Sequence, residues 1–395
     1  MKKVILAFSG GLDTTYCAIW LRQQGYEVWT ASVNTGGFDE AEVDRLAERA
    51  KELGIDNHVM LDVQAAYYQE CIRYLIAGNV LKNNTYPLSV SAERVFQATA
   101  IARYAKETGA DAIAHGSTGA GNDQVRFDMV FNTIYPEAEI ITPIRDHKLS
   151  REEEIEFLKA EGVEGNWEKA LYSINAGLWG TSVGGKETLT SDQYLPEDAF
   201  PTQLKDQAPL EVRLTFEKGE PVALNGKKLA PVDCIKALNE LASPYAIGRD
   251  IHVGDTIIGI KGRVGFEAAA PVILVKAHHL LEKHTLTKHQ LLLKDQWSIS
   301  YGHFLHEGLF LEPVLRDIEA FLESSQQQVS GEVTIELRPY HFILKGITSP
   351  NDLMQSEHGK YGEMNNGWSG QDVRGFSKIF GNQAMIYHKL HGSHE

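Results

Sequence analysis

Cysteine is scarce in this chain. Cys17, Cys71 and Cys234 stand far apart and no C-x-x-C occurs. A zinc ribbon, an iron–sulfur cluster or a redox pair therefore lacks its ligand set. Isolated cysteines of this kind are small core residues of a protein kept in a reducing compartment. Long hydrophobic runs are missing too. After Lys2 and Lys3 the apolar run spans only Val4 to Phe8, shorter than the ~7–15 residues of a signal-peptide core. Nothing approaches the ~20 apolar residues of a membrane span. Positive charge is in deficit, 38 Lys+Arg against 53 Asp+Glu, for a net charge of −15. Phosphate neutralisation needs surplus Lys and Arg, so bulk affinity for nucleic acid or anionic membrane is excluded. A local phosphate site made of backbone N–H groups is not. These absences point to a cytoplasmic protein with small-molecule partners, no nucleic acid and no membrane.

What is present is ordinary globular material: 395 residues, 43% apolar and 23% charged. That length predicts two or three domains. Val4–Phe8 reads as a buried strand, and a helix follows from about Thr14 to Gln24. Glu27–Asn34 and His58–Leu61 read as strands, Glu40–Leu53, Val63–Ile76 and Ser91–Thr108 as helices, and Ala112–Ala114 as a further buried strand. Ser150 and Glu153 have capping-box spacing and open a helix to about Glu161. Strands alternating with crossover helices predict an α/β fold with a doubly wound parallel sheet over 1–165, its ligands at the carboxyl ends of the strands. From about Trp167 the pattern changes. Ser182–Pro209 is loop-rich, Leu210–Phe216 alternates as a strand, and Asn225-Gly226 is a hairpin turn. Pro231–Leu241, Ala269–Glu282 and Leu309–Ser324 read helical, and Gly331–Leu337 pairs with His341–Lys345. This is a second, α+β domain over 166–363. A C-terminal tail, 364–395, holds an ordered-looking segment at Asp372–Tyr387.

The chemistry concentrates in two loops. Ser9-Gly10-Gly11-Leu12-Asp13-Thr14-Thr15 follows the first strand and opens the first helix. Glycines let successive N–H groups converge on an anion, the helix N-terminus adds partial positive charge, and three hydroxyls add donors. Asp13 fits there as a loop brace or as a partner for magnesium riding on the phosphates. The Lys of a Walker loop and the third Gly of a dinucleotide fingerprint are both missing, so neither class fits. The second loop is His115-Gly116-Ser117-Thr118-Gly119-Ala120-Gly121-Asn122-Asp123-Gln124-Val125-Arg126. Read alone, it is either a solvated Gly/Asn loop or a site for a ligand with amino and carboxylate groups, Asp123 facing an ammonium and Arg126 and Thr118 facing carboxylates. No metal-ligating set is evident. His278 and His279 point about 100° apart on a helix, and Glu282, on the face of His278, has no third partner.

A strand, then SGGxDT, then a helix resembles the ATP pyrophosphatase loop of enzymes that cleave ATP to AMP and pyrophosphate. Both loops together, in this order, resemble the argininosuccinate synthase family. Tyr86-Pro87-Leu88 with Ser91 matches that family's citrulline segment, and Tyr172-Ser173 with Ser182 its later serine pair. Gly259 to Arg263 and Asp372 to Phe376 echo further blocks, so the resemblance covers essentially the whole chain. It implies an adenine nucleotide alpha hydrolase-like first domain and an AMP-forming carbon–nitrogen ligase of arginine biosynthesis, joining ATP, citrulline and aspartate. It implies ATP on Ala7, Phe8, Ser9, Gly10, Gly11, Leu12, Asp13, Thr14, Thr15, Val33 and Gly116, with Mg2+ on the phosphates. Citrulline would be held by Tyr86, Ser91, Asn122, Arg126, Ser173 and Ser182, and aspartate by Thr118, Asn122 and Asp123. Asp13, Asn122, Asp123 and Arg126 would serve the reaction, and the protein would be a homotetramer joined through its tail.

The chain also departs from the family. Ala120 replaces a Lys, removing a positive charge near the reacting phosphates. No acid follows Ser182, Gly254 replaces a Glu, and Phe266 replaces a Tyr. These last changes strip the partners of an α-ammonium, so two alternatives stand beside the parent reaction. One is the same chemistry on an N-acylated citrulline, with Gly254 leaving room for the acyl group. The other is a catalytically dead nucleotide-binding regulator. A tRNA-thiolating enzyme would need catalytic cysteines and a basic face, and an amidotransferase a glutaminase nucleophile; neither is present.

Overall fold

The computed structural model describes residues 1–165, 167, 172–205, 207–359, 361–363 and 367–392. An apolar run with no polar side chain to leave in water needs burial on both faces, and β1 (Lys3–Ala7) takes the centre of a parallel sheet. Alternation along it feeds two cores: Val4 and Leu6 pack with Tyr16, Leu21 and Ile144 on one side, Ile5 with Tyr67, Ala98 and Phe131 on the other. In chain order follow α1 (Leu12–Gln23), β2 (Glu27–Asn34), α2 (Glu40–Glu52) and β3 (His58–Asp62). Next come α3 (Gln64–Tyr67), α4 (Arg73–Ala77), α5 (Ser89–Glu107), β4 (Ala112–Ala114) and α6 (Asp123–Ile134). β5 (Glu139–Ile141), α7 (Pro143–His147) and α8 (Arg151–Ala160) complete this half. The sheet order is β3-β2-β1-β4-β5, every pair parallel. The chain winds outward from β1 on one side and then crosses to β4, so a crevice opens at the carboxyl ends of β1 and β4. The doubly wound sheet is the one that the alternating pattern predicts.

Local departures have local causes. The helix expected over Val63–Ile76 is broken by a π turn at Tyr68–Ile72 between α3 and α4. β5 is three residues long and only partly buried, too short for periodicity to reveal. α6 follows the polar loop with no side-chain cap at Asn122, so no start signal marks it. α8 does start on the capping box of Ser150 and Glu153.

The second half holds two antiparallel sheets. β6 (Ser173–Gly177) and β7 (Gly180–Gly184) join β11 (Arg249–Asp255) and β12 (Lys261–Glu267) in the order β11-β12-β7-β6. β8 (Leu210–Glu217), β9 (Glu220–Leu224) and β10 (Lys227–Lys228) join β13 (Gly331–Arg338) and β14 (His341–Thr348) in the order β10-β9-β8-β13-β14. Asn225 and Gly226, at φ of 51° and 78°, make the expected two-residue hairpin. Helices α9 (Pro231–Ala242), α10 (Ala269–Thr285), α11 (Lys288–His306) and α12 (Pro313–Ser325) pack around the sheets, and α13 (Gly370–Phe380) and α14 (Asn382–His391) end the chain. The boundaries expected at 165/166 and 363/364 touch residues 166 and 364, which lie outside the described residues.

A buried polar knot ties α10 and α11 to the first half. Glu282, with no exposed surface, lies 3.0 Å from Lys294 Nζ and accepts from Asn79 Nδ2 (2.5 Å) and Gln326 Nε2 (2.8 Å). Lys294, equally buried, also donates to the Ala77 carbonyl at 2.9 Å. His278 lies between the Asn79 and Gln326 amides, 2.6 and 2.8 Å away. Removing one partner strands a buried charge. Lys294→Met should therefore cost about 3–5 kcal/mol of unfolding free energy in urea titrations, with part of the loss recovered by adding Glu282→Gln.

Candidate active site

The first loop is shaped by its glycines. Gly10 takes φ of +69°, and a Cβ there would stand 2.9 Å from Leu46 Cδ2. Gly11 is the N-cap of α1 and leaves the helix without a side-chain cap, its first turn facing the crevice at the end of β1. Ser9 and Thr14 face each other across the loop, Oγ to Oγ1 at 3.3 Å. Gly116, after β4, lies over the same turn: a Cβ on it would come 3.1 Å from Asp13 Cβ and 3.3 Å from Thr14 N. Val33, on β2, is 5% exposed. The two loops therefore meet at the switch point of the sheet, where an anion can sit against a bare helix N-terminus.

Asp13 has an unexpected neighbour in Glu154 of α8. The two carboxyls share a hydrogen bond; burial and then Asp13 push Glu154 up to about 8, and burial also raises Asp13. Like charges this close do not both ionise, so the pair holds a proton at neutral pH.

The second loop leads into α6 and a chain of charged groups. Asp123 bridges Arg94 Nε at 2.9 Å and Arg126 Nη1 at 3.2 Å. Burial would raise its pKa, but the two guanidiniums outweigh that and hold the carboxyl below its usual range. Arg126, its side chain 3% exposed, also donates to Ser91 Oγ (3.0 Å) and to the His306 carbonyl (2.8 Å). Arg94 continues to Asn175 Oδ1 at 2.7 Å, and Asn175 Nδ2 reaches Ser182 Oγ at 3.4 Å. Asn122 Oδ1 accepts from the backbone N–H of Ile257 at 2.8 Å. Ser182 pairs with Phe266 on one side and Asn175 on the other, and cross-strand partners share a face, so the β11-β12-β7-β6 sheet turns a polar face onto the start of α5. Tyr86, 3% exposed, closes the floor against Phe266, ring centroids 5.4 Å apart.

Models of two family regions match the chain: the arginosuccinate synthase N-terminal HUP domain over residues 3–164 and its C-terminal domain over 172–387. The argininosuccinate synthases of Methanocaldococcus jannaschii and Xanthomonas campestris are each 36% identical to it, over 97% of both chains and 98% of both chains respectively. That of Sulfolobus acidocaldarius is 35% identical over 99% of this chain and 100% of its own. The chain belongs to the argininosuccinate synthase family. Its parallel-sheet half is a HUP, adenine nucleotide alpha hydrolase-like domain.

Of the residues that the family resemblance singles out, the structure gathers Ala7 to Thr15, Val33 and Gly116 at one end of the crevice. Ser91, Asp123 and Arg126 are joined directly through hydrogen bonds. Ser182 joins them through Asn175 and Arg94, whereas Ser173 lies two residues further along β6, exposed. Thr118 makes no hydrogen bond among the described residues. Asp123 is not the free acid that its sequence position suggests, because both its oxygens are occupied by arginines. Arg94 is the residue that sequence reasoning missed; its spacing from Ser91, three positions along a helix, puts both on one face. Asp123→Ala should accordingly leave two buried guanidiniums unpaired and cost about 3–5 kcal/mol in urea unfolding. Asp123→Asn should keep the fold and raise the aspartate KM more than the ATP KM.

Proposed function

We propose that this chain condenses a ureido amino acid of the citrulline type with aspartate at the expense of ATP, yielding AMP, pyrophosphate and an argininosuccinate. One observation carries the reading: a phosphate-type loop and an Arg94–Asp123–Arg126–Ser91 cluster open into the same crevice. ATP lies along Ala7 to Thr15, Val33 and Gly116, its phosphates against the N–H groups of the first turn of α1. The ureido substrate lies against Tyr86, Ser91, Asn122, Arg126, Ser173 and Ser182. Its ureido oxygen attacks the α-phosphorus, the bond to the β-phosphate oxygen breaks, and pyrophosphate leaves into the Ser9–Asp13 loop. The aspartate amine, placed by Thr118 and Asn122 over the Arg94–Asp123–Arg126 bridge, then attacks the ureido carbon and displaces AMP. Positioning and fixed dipoles account for the rate, since no covalent step falls to the protein.

Asp13, a carboxyl among phosphate-facing N–H groups with Glu154 beside it, is the donor set that suits Mg2+ carried in on the nucleotide. That ion, when bound, neutralises the departing pyrophosphate. The exposed loop at Ala120 supplies no charge of its own. Asp13→Ala keeps the Cβ that packs on Gly116 and should fold normally while losing AMP formation and ureido-dependent ATP–pyrophosphate exchange. Undiminished exchange would show that the loop has another task.

The tail belongs to assembly. α13 and α14 bury no residue within the chain, and Phe376, Ile379 and Phe380 are 63%, 79% and 79% exposed. An amphipathic helix pair with an unpartnered apolar face suits a second copy of this chain, in a homotetramer. The buried, unpaired Cys17, Cys71 and Cys234 suit the cytoplasm. A Phe376→Asp, Phe380→Asp double variant should run as a smaller species in light scattering after size exclusion, with its helical content retained.

A further inference from the structure

The last turn of α11 is built onto the crevice floor. Its terminal carbonyls have no partner within the helix, and that of His306 accepts from Arg126 Nε at 3.1 Å and Nη2 at 2.8 Å. A guanidinium at a helix C-terminus also complements the dipole. Gly308, at φ of +83°, lets the chain pass close by: a Cβ there would stand 3.1 Å from Arg126 Cγ. The His306 ring, 5% exposed, reaches both the floor and β11. Its Nδ1 lies 3.1 Å from Ser91 Oγ and 3.4 Å from Arg126 Nη2, and its Nε2 lies 3.3 Å from the Asp255 carbonyl. The reaction above leaves this ring unused. Further along β11, His252 stacks on Tyr86 with ring centroids 5.1 Å apart, and its Nε2 lies 2.5 Å from where a Cβ on Gly254 would stand. Gly254 thus gives its room to an imidazole, correcting the expectation that the space is open for an acyl group.

The partners of the His306 ring leave it one protonation state. A carbonyl only accepts, so Nε2 carries the hydrogen that points to Asp255. A guanidinium only donates, and an Nδ1–H would face the Arg126 hydrogens, so Nδ1 is the bare, accepting nitrogen. Burial, then Arg126 and Lys82, bring the ring down to about 3, with the Asp255 carbonyl opposing, so it is neutral at pH 7. The neutral ring decides the Ser91 hydroxyl. The hydrogens of Arg126 Nη2 go to the His306 carbonyl at 2.8 Å and to Ser91 Oγ at 3.0 Å. Ser91 accepts that bond and sends its own hydrogen to Nδ1. A directed chain results, from Arg126 to Ser91 to His306 to the Asp255 carbonyl, each link donating to the next. Ser91 keeps a lone pair for a ligand, and no hydrogen. Tyr86 beside it is the reverse case: its oxygen accepts from the Val90 N–H at 3.0 Å and from Ser89 Oγ at 3.3 Å, which leaves its own hydrogen to donate.

Resting on the ligase reading above, we propose that His306 is a positioning residue for the ureido substrate: its ring makes the Ser91 hydroxyl a fixed acceptor, which takes an N–H of that substrate. The ring itself touches no reacting atom. Its contribution is to remove a choice. A free serine hydroxyl donates to an oxygen as readily as it accepts from a nitrogen, and so discriminates little between the groups of an amino acid. Held by His306 and Arg126, the same hydroxyl refuses an oxygen, because lone pair would meet lone pair, and favours a nitrogen that carries hydrogen. Tyr86, with its hydrogen still to donate, takes the oxygen instead. The substrate is thereby read in one orientation, and the cost of ordering a rotating hydroxyl falls on folding rather than on binding.

The test measures AMP formation by the full chain as citrulline and ATP are varied in turn. His306→Gln keeps an N–H where Nε2 was and removes the acceptor at Nδ1. His306→Asn places a carbonyl oxygen at Nδ1 and gives up the bond to Asp255. The citrulline KM should rise about tenfold in the Gln variant and less than about threefold in the Asn variant, with kcat and the ATP KM little changed in both. Ser91→Ala should raise the citrulline KM as well, and adding His306→Gln to it should have no further effect, because the ring acts through that hydroxyl. Equal losses in the Gln and Asn variants overturn the inference, since the ring would then only fill space. Effects that add in full in the double variant overturn it too. In the unaltered chain with isotope-labelled histidine, nitrogen NMR should show the His306 ring as the Nε2–H tautomer at pH 7, and an Nδ1–H tautomer or a charged ring overturns the inference without any substitution. No AMP from citrulline and aspartate with the unaltered chain overturns the ligase reading itself, and this inference with it.

Discussion

The bridge from Arg94 through Asp123 to Arg126 is the constraint on which the site depends. Arg94 comes from α5, Asp123 and Arg126 from the first turn of α6, and Arg126 ends on the carbonyl of His306 in α11. The two arginines that this carboxylate fixes thus join the parallel-sheet half to the second half, Arg126 through His306 and Arg94 through Asn175. Taken separately, two guanidiniums as deeply buried as these would be costly to desolvate. Set either side of one acid they satisfy it fully, and the remaining N–H groups reach Ser91 and Asn175. The crevice floor is therefore held by charge-assisted hydrogen bonds while its roof, the bare turn of α1, is left open. A site that must place three substrates in line gains from such a floor, since a misplacement of about 1 Å can cost about a hundredfold in rate.

The sequence reveals the parts whose signals are local. β1 and β4 are short apolar runs bounded by polar residues, and α8 and the Asn225-Gly226 hairpin begin on short motifs with a mechanism. What stays hidden is set by distance. β11 and β12 carry glycines and charges at Gly254, Gly262 and Arg263, and only pairing with each other and with β7 makes them strands. α11 buries Lys294, Ser298 and His306 alongside Tyr301 and Leu305, because part of its inward face meets Glu282, the Ala77 carbonyl and Arg126. The hydrophobic pattern that marks a helix is interrupted there by polar partners, more than 200 positions apart for Lys294 and Ala77.

The candidate site divides in the same way. The phosphate loop is legible because its chemistry lies in seven consecutive residues. The Asp123 environment is not: its carboxylate looks like a receptor for an ammonium until Arg94, 29 positions earlier, is seen against it. Likewise Asp13 reads as a lone acid, and Glu154, 141 positions later, cannot be paired with it without the packing of α8 on α1. A residue type suggests what a side chain could do. Its partners decide what capacity is left.

That distinction also reconciles the charge of the whole chain with that of the crevice. A net charge of −15 makes the surface unattractive to polyanions, yet the acidic substrates ATP and aspartate must enter. The interior resolves the conflict through short-range donors. The N–H groups of α1 and the Arg94 and Arg126 guanidiniums lie at the crevice, where low dielectric strengthens them and screening by salt is weak. The surface acids, farther off and in water, act at reduced strength on the same ligands. Those two guanidiniums already share the Asp123 carboxylate, so an incoming carboxylate competes with a fixed partner rather than with water.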